Sequence, residues 1–150
     1  PTDRDRDRCR DRGGTGVIVV DTNIIAYLYL PCAYTPLAER LLAHDADWVA
    51  PLLWRSEMRN VLALYLRRQQ LSFDQVLTIQ GEAESLLAEG EYEPDSLQVL
   101  RLVQTSDCSA YDCEFVALAR HLGVRLVTQD KKVLAAFPDI SVGLSILFPE

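Results

Sequence analysis

An uninterrupted run of β-branched residues, Val17 to Val20, leads directly into a carboxylate, Asp21. The run has no polar position, so it does not alternate as a strand with one solvated face does. It predicts a strand buried on both faces, as in a parallel sheet covered by helices. Ligands of such sheets bind outside the carboxyl ends of the strands, where Asp21 would lie with Asn23 close by. The run therefore predicts a fold class and the position of a site.

Length and composition indicate one globular domain. The chain has 150 residues, of which 49% are hydrophobic and 25% charged, which is typical of a folded domain. No apolar run approaches the roughly 20 residues of a membrane span, so we expect no membrane association. The 4 cysteines form no Cys-x-x-Cys pair and only 2 histidines are present. This pattern disfavours a structural zinc site and favours a reducing, cytoplasmic location.

The first residues differ from the rest of the chain. Residues 1–16 alternate Asp and Arg and then become rich in Gly, with almost no apolar side chains. Such a segment cannot bury enough surface to offset the entropy of ordering it, so we predict a disordered, dispensable tail. An Arg-rich arm that binds RNA is the alternative, but the interleaved Asp residues largely cancel its charge. Residues 17–150 are predicted to form the domain.

The net charge of −7 by itself disfavours a nucleic-acid partner, because affinity for nucleic acid rests on Lys and Arg at phosphates. Net charge does not describe a local basic rim, however. Nor does it describe a site whose acids are neutralised by a bound metal.

Helices and short strands alternate along the chain, which predicts an α/β fold with a mainly parallel sheet. Capping patterns at Ser72-x-x-Gln75 and Asp95-x-x-Gln98 each predict the start of a helix, and Gly123 predicts the end of one. After the first strand, the predicted helices span about 22–30, 35–43, 51–70, 73–89, 95–103, 109–121 and 131–137. The predicted strands span about 48–50, 91–93, 124–128 and 140–142.

Four acidic side chains fall at the ends of predicted strands or in the first turns of predicted helices. Asp21 and Asp130 each follow a strand, so both would project over one sheet edge if the strands are neighbours. Glu57 lies early in the long helix, and Asp112 lies in the first turn of the helix from Ser109. That helix presents one predicted inward face: Tyr111, Phe115, Leu118 and Leu122. Taken singly, an acid at a helix N-terminus is more often a cap or a solvated charge.

Taken together, these acids and their flanking residues resemble the PIN-domain ribonucleases, and most closely the VapC-type toxins of toxin–antitoxin pairs. The resemblance covers the chain from about Val17 to Val142. It rests on four segments in order: Val-Val-Asp21-Thr-Asn23, Ser56-Glu57, Ser109-x-Tyr-Asp112-x-x-Phe-Val-Ala-Leu-Ala119 and Leu-Val-Thr128-x-Asp130. The N-terminal tail and the acidic net charge depart from the family pattern.

The resemblance implies a three-layer α/β/α sandwich and an acidic pocket that binds Mg²⁺ or Mn²⁺. By position, the family's catalytic and metal-binding acids correspond to Asp21, Glu57, Asp112 and Asp130, called here the site acids. Asn23 and Thr128 match polar positions that support them. The resemblance also implies an RNA substrate, a cognate antitoxin protein and a homodimer.

Elementary electrostatics points to the same chemistry. Two carboxylates about 5 Å apart repel by roughly 3 kcal/mol at an effective dielectric near 20, so converging four of them requires a cation. Oxygen ligands suit Mg²⁺ or Mn²⁺. Such an ion can make hydroxide from water and neutralise a phosphoryl oxygen, so the predicted reaction is metal-dependent hydrolysis of RNA. We expect the carboxyl carbons of the site acids to lie within about 10 Å of each other, a span that one or two hydrated ions could bridge.

Nearby basic and apolar residues suggest contacts with substrate and partner. Lys131 and Lys132 follow Asp130, while Arg55 and Arg59 share a helix with Glu57; all four are candidate RNA contacts. Several apolar residues exceed what a minimal core needs, and they either form a partner groove or are simply buried: Tyr27, Tyr29, Leu30 and Phe73.

Two alternatives stay open. A magnesium-dependent phosphotransfer or phosphatase domain also places Asp at a strand end, although Asn23 stands where a phosphatase of that kind has a second Asp. A catalytically silent PIN-fold binding module is the other alternative.

Overall fold

The structure is a computed structural model, and it describes residues 16–149. The prediction that residues 1–16 are disordered and dispensable therefore falls almost entirely outside the described residues and stays a prediction.

A five-stranded sheet forms the centre of the described chain, and all its paired strands are parallel. The strands are β1 (Val17–Val20), β2 (Asp47–Pro51), β3 (Glu91–Tyr92), β4 (Leu126–Val127) and β5 (Ser141–Val142), arranged in the order β3-β2-β1-β4-β5. The β-branched run is thus the central strand, and Val19 pairs with Val49 on one side and Leu126 on the other. Val19 and Val20 are fully buried, as the absence of polar positions predicts.

Helices cover the sheet and complete the predicted three-layer α/β/α sandwich. They are α1 (Thr22–Tyr29), α2 (Thr35–His44), α3 (Leu53–Arg67), α4 (Phe73–Leu87), α5 (Ser96–Gln104), α6 (Ala110–Leu122), α7 (Lys131–Ala136) and α8 (Leu144–Leu147). Helix α6 packs against β1, β2 and β4, whereas α3 and α4 pack against β2. The short helix α8 was not predicted. No helix in residues 16–149 combines the length and the apolar character needed to cross a membrane.

Most of the predicted helix boundaries are confirmed by local hydrogen bonds. The Ser72 hydroxyl accepts from the Gln75 N–H at 3.1 Å, and the Gln75 side chain accepts from the Ser72 N–H at 2.8 Å. Gly123 adopts φ 67°, a left-handed conformation that suits glycine at a helix end. The capping prediction at Asp95 is wrong in its detail, because α5 follows Asp95 without a side-chain cap hydrogen bond.

The predicted inward face of α6 is correct only in part. Phe115, Leu118 and Leu122 are buried, but Tyr111 is 63% exposed. Helix α6 leads back to the amino end of β4, so its first turn lies at the carboxyl edge of the sheet. A side chain in that turn extends past the strand ends, which explains the exposure of Tyr111.

Candidate active site

Asp21 is fixed at the carboxyl edge of the sheet, between its two central strands. Its backbone N–H donates to the Val127 carbonyl of β4 at 3.0 Å. Its carboxylate oxygen Oδ1 accepts from the Thr22 N–H at 2.8 Å, which caps the start of α1. The other oxygen, Oδ2, accepts from the Thr128 hydroxyl at 2.7 Å. Both oxygens are therefore held by groups from two different strand ends.

Thr22 joins Asp21 to a second acid. Its hydroxyl, on a buried side chain, donates to Oε1 of Glu57 in α3 at 2.8 Å. One residue thus orients two of the site acids, through its backbone N–H and its side chain. The sequence analysis included Thr22 in the motif but gave it no role. The signal available was a hydroxyl in the first turn of a helix that begins at a candidate ligand.

Thr128 joins Asp21 to a third acid. The Thr128 side chain is fully buried, and its hydroxyl oxygen accepts from the Asp130 N–H at 3.0 Å. Asp130 in turn caps α7, because its Oδ1 accepts from the N–H groups of Lys132 and Val133 at 2.9 and 3.1 Å. Thr128 thus contacts both Asp21 and Asp130, and its role in supporting metal-binding acids stays a prediction.

Asp112 lies in the first turn of α6. The Ser109 hydroxyl accepts from its backbone N–H at 3.1 Å, and the Asp112 side chain is half-buried. Its negative charge reaches Asp21 and Glu57, since it contributes to raising the pKa of both.

The pKa shifts show how these acids share one electrostatic environment. Burial is the main cause that raises the pKa of Asp21, and the charges of Asp112 and Asp130 add to it, while the bonds from Thr128 and Thr22 act against it. Burial also raises the pKa of Glu57, with further contributions from Asp21, Asp112 and Glu114. Glu114 lies two residues after Asp112 on α6 and was not predicted to belong to this group.

No basic side chain neutralises this group: within residues 16–149, none of the site acids forms a salt bridge. The Oδ1 atom of Asn23 is buried and has no hydrogen-bond partner. Carboxylate oxygens without a basic partner, together with a buried amide oxygen that has no hydrogen-bond partner among residues 16–149, are ligands that suit a hard divalent ion.

The part of the chain that is described contains no group of three or more acidic, histidine or cysteine side chains already able to hold a metal ion. The expected 10 Å convergence stays a prediction.

The candidate RNA contacts are placed in different ways. Lys131 and Lys132 are exposed at the start of α7, next to Asp130, and Arg59 is exposed on α3. Arg55 is instead bound to Glu91 and Glu84 within the protein. The interpretation of Arg55 as an RNA contact is therefore withdrawn, because its guanidinium is committed to these carboxylates.

Of the two interpretations of the surplus apolar residues, burial applies to three of the four. Leu30 is buried, and Tyr27 and Tyr29 are half-buried against the core. Only Phe73 among the four suggested residues is an exposed side chain, at 64%.

The chain belongs to the PIN-domain family, whose profile matches residues 18–139. It is 28% identical over 124 residues to Ribonuclease VapC3 of Pyrobaculum aerophilum, a match that covers 81% of this chain and 95% of that protein. The fold resembles the crystal structure of PAE2754 from Pyrobaculum aerophilum, with a TM-score of 0.70 and 21% identity, covering 88% of this chain and 86% of that one. It also resembles the crystal structure of FitAcB from Neisseria gonorrhoeae, with a TM-score of 0.65 and 18% identity, covering 84% of this chain and 96% of that one. The sequence-based recognition of the family and of the sandwich fold is thereby confirmed.

Proposed function

We propose that this chain is a metal-dependent endoribonuclease that hydrolyses RNA phosphodiester bonds and acts as the toxin of a type II toxin–antitoxin pair. The observation that carries the proposal is the Asp21 carboxylate, held by Thr22 and Thr128 among acids that have no salt-bridge partner in residues 16–149. The similarity to a protein named Ribonuclease VapC3 supports the substrate class.

In this proposal the site acids hold Mg²⁺ or Mn²⁺, with Asn23 Oδ1 as an additional oxygen. A bound ion would supply a water of lowered pKa and would neutralise charge that develops on the phosphoryl group. Thr22 and Thr128 keep Asp21 in place, so the site is organised before the ion arrives. Glu57, held through Oε1 by the Thr22 hydroxyl, would contribute its carboxylate to the ion.

Phosphate recognition falls to the exposed cations beside the site. Lys131 and Lys132 directly follow Asp130 and would contact substrate phosphates, with Arg59 on the α3 side. Contacts of this kind fix the substrate without reading its sequence, so they leave the choice of RNA open.

The partners are a cognate antitoxin protein and a second copy of this chain. An exposed apolar pair on α4 offers one surface for a protein partner: Phe73 and Leu77 are 64% and 60% exposed and lie one helical turn apart. Co-purification with the product of the neighbouring reading frame tests the antitoxin, and sedimentation of the isolated chain tests the homodimer.

We place the protein in the cytoplasm, because Cys32, Cys108 and Cys113 are free thiols.

Cleavage of labelled single-stranded RNA by the purified chain tests the activity. We expect cleavage with Mn²⁺ or Mg²⁺, none with EDTA, and none by Asp21→Asn under any of these conditions. Family membership favours a nuclease over the phosphotransfer alternative, and a chain that binds Mn²⁺ but cleaves no RNA would instead be the silent binding module.

A further inference from the structure

Helix α3 carries Glu57 but begins without the usual device that fixes a helix start. The residue at its N-cap, Leu52, provides no side-chain cap hydrogen bond, and the first turn contains no acidic residue. Unsatisfied N–H groups at a helix start are ordinarily met by a capping side chain. Contacts outside the helix therefore contribute to the position of α3, and they include its packing on α1, α4 and β2.

Glu91 of β3 adds directional hydrogen bonds to this packing through a single carboxylate. Its Oε2 accepts from Trp54 Nε1 at 2.9 Å and from Arg55 Nε at 2.6 Å, and its Oε1 accepts from Arg55 Nη2 at 2.6 Å. Paired bonds of this type between arginine and a carboxylate fix direction as well as distance. Successive helical residues point about 100° apart, so one carboxylate that binds both Trp54 and Arg55 restrains the rotation and the axial position of the helix.

Helix α4 completes the arrangement. Arg55 Nη1 donates to Glu84 Oε1 at 2.8 Å, and Gln80 Nε2 donates to Glu84 Oε2 at 2.9 Å and to the Arg55 carbonyl at 3.4 Å. These residues are called here the anchor network: Trp54, Arg55, Gln80, Glu84 and Glu91. The network joins α3 and α4 to β3, the edge strand next to β2.

The anchor network is built into the structure rather than spread over its surface. Trp54 is fully buried, and the Glu91 side chain is only 9% exposed. Glu91 is itself fixed by sheet pairing, because the Leu52 N–H donates to the Tyr92 carbonyl at 2.9 Å. The preceding residue, Gly90, lies so close to β2 that an added Cβ would be 2.5 Å from the Trp48 carbonyl oxygen. The strand that carries Glu91 therefore has little freedom to shift.

The charge state of Glu91 suits a permanent anchor. Its hydrogen bonds from Arg55 are the main cause that lowers its pKa below the usual range of a glutamate. The carboxylate thus stays ionised at neutral pH. The pKa of Glu57, which lies two residues after Arg55 on α3, is shifted in the opposite direction, mainly by burial.

We propose that Glu91, acting through Arg55 and Trp54, is a positioning residue that holds the first turns of α3 so that Glu57 meets Thr22 and the other site acids. This inference rests on the proposed function, because Glu57 matters only if it serves a metal site. It also explains Arg55, which lies beside the site but binds carboxylates of its own protein.

Variants of the anchor network and a matched control test the inference. Glu91→Gln keeps the shape and removes the charge, and Arg55→Lys keeps the charge but removes the paired bonds. Arg120→Met is the control, since it removes a salt bridge to Asp139 that is exposed on both sides, with an N–O distance of 3.2 Å. The measurements are the Mn²⁺ dissociation constant by calorimetry, at a temperature where each variant is folded, together with kcat and KM on RNA.

We expect Glu91→Gln to weaken Mn²⁺ binding by roughly tenfold, as is typical when residues that orient metal ligands are lost. We expect kcat to fall with it while KM changes little, because Glu91 does not touch RNA. Arg55→Lys should show a smaller loss of the same kind, and Arg120→Met should match the wild type. If Glu91→Gln does not fold, Arg55→Lys carries the test alone.

The inference is overturned if the anchor variants melt at lower temperature but keep the wild-type Mn²⁺ constant and kcat, since the network is then only structural. Failure of the proposed function is seen separately, in the wild-type arm. A wild-type chain that binds no Mn²⁺ overturns the proposed function and this inference with it.

Discussion

Helix α3 separates two groups of acidic side chains that the protein treats in opposite ways. On one side, Glu84 and Glu91 are both paired with Arg55, and the pKa of Glu91 is lowered. On the other side, Asp21 and Glu57 have no basic partner within residues 16–149, and burial raises the pKa of both. The first group is neutralised by Arg55, whereas no side chain of residues 16–149 neutralises the second.

Charge balance thus distinguishes the acids that stabilise this domain from those assigned to its candidate site. Removing a paired carboxylate leaves a cation without its partner and should destabilise the protein. Removing an unpaired carboxylate relieves repulsion and should cost stability little, while it removes activity. The following experiments test this contrast.

The largest expected effect is on cleavage by Asp21→Asn. Loss of this carboxylate should lower kcat/KM on RNA by about a thousandfold or more, which corresponds to roughly 4 kcal/mol of transition-state stabilisation. The control is Asp139→Asn, which changes an exposed acid in the Arg120 pair and should cleave normally. A mutant at Asp21 that retains more than a tenth of the activity would mean that this residue is not a metal ligand.

The next effect is on stability, and it should have opposite signs in the two groups. Without metal, Glu91→Gln should lower the free energy of unfolding by about 2 kcal/mol, because Arg55 loses one of its two carboxylate partners, the one whose side chain is only 9% exposed. Asp21→Asn should leave it unchanged or raise it, by up to about 3 kcal/mol, because like charges no longer repel. Urea titrations in EDTA measure both. Equal destabilisation by the two substitutions would refute the contrast.

The third prediction concerns Thr22, which links Asp21 to Glu57. Thr22→Val keeps the shape but cannot donate to Glu57, so Mn²⁺ binding should weaken by about tenfold, or roughly 1.4 kcal/mol. Thr22→Ser keeps the hydroxyl and should bind nearly as the wild type does. Calorimetry on the two variants measures the difference. If both variants bind Mn²⁺ alike, the hydrogen bond from Thr22 does not organise the site.

The fourth prediction is a pH dependence of the metal-free protein. The folded pKa of Asp21 is raised above its ordinary value of 3.8, so below that value the residue is protonated in both states and causes no penalty. As pH rises through the folded pKa, Asp21 ionises more readily in the unfolded chain than in the folded one, so the free energy of unfolding falls. The melting temperature of Asp21→Asn relative to wild type should therefore increase from acidic to neutral pH. Thermal scans in EDTA measure it, and a difference that shrinks over this interval would contradict the raised pKa.

The smallest effect is expected at the exposed pair between Arg120 and Asp139. Arg120→Met should change the free energy of unfolding by no more than about 0.5 kcal/mol, because exposed ion pairs are screened by water and salt. Denaturation at low and high salt measures the contribution. A loss as large as that of Glu91→Gln would show that burial does not distinguish the two ion pairs.

Local patterns allowed much of this structure to be predicted. The run before Asp21 predicted the central parallel strand, and the Ser72 box and Gly123 predicted helix boundaries that the hydrogen bonds confirm. The role expected of Thr128 rests on the match to a known family. The exposure of Tyr111 could not be predicted by periodicity, because periodicity does not show where a helix extends past the sheet.

The sequence by itself determined which acids stand at strand ends and helix starts, because strand and helix patterns are properties of neighbouring residues. Only the tertiary structure decided which of the nearby charges are neutralised. Arg55 and Glu57 lie two positions apart on one helix, and nothing in the local sequence shows that their side chains bind different partners. Arg55 meets Glu91 across 36 positions, and Glu57 meets Thr22 across 35. Such contacts depend on how parallel strands and their crossover helices pack, and packing sets the distances on which electrostatic energies depend.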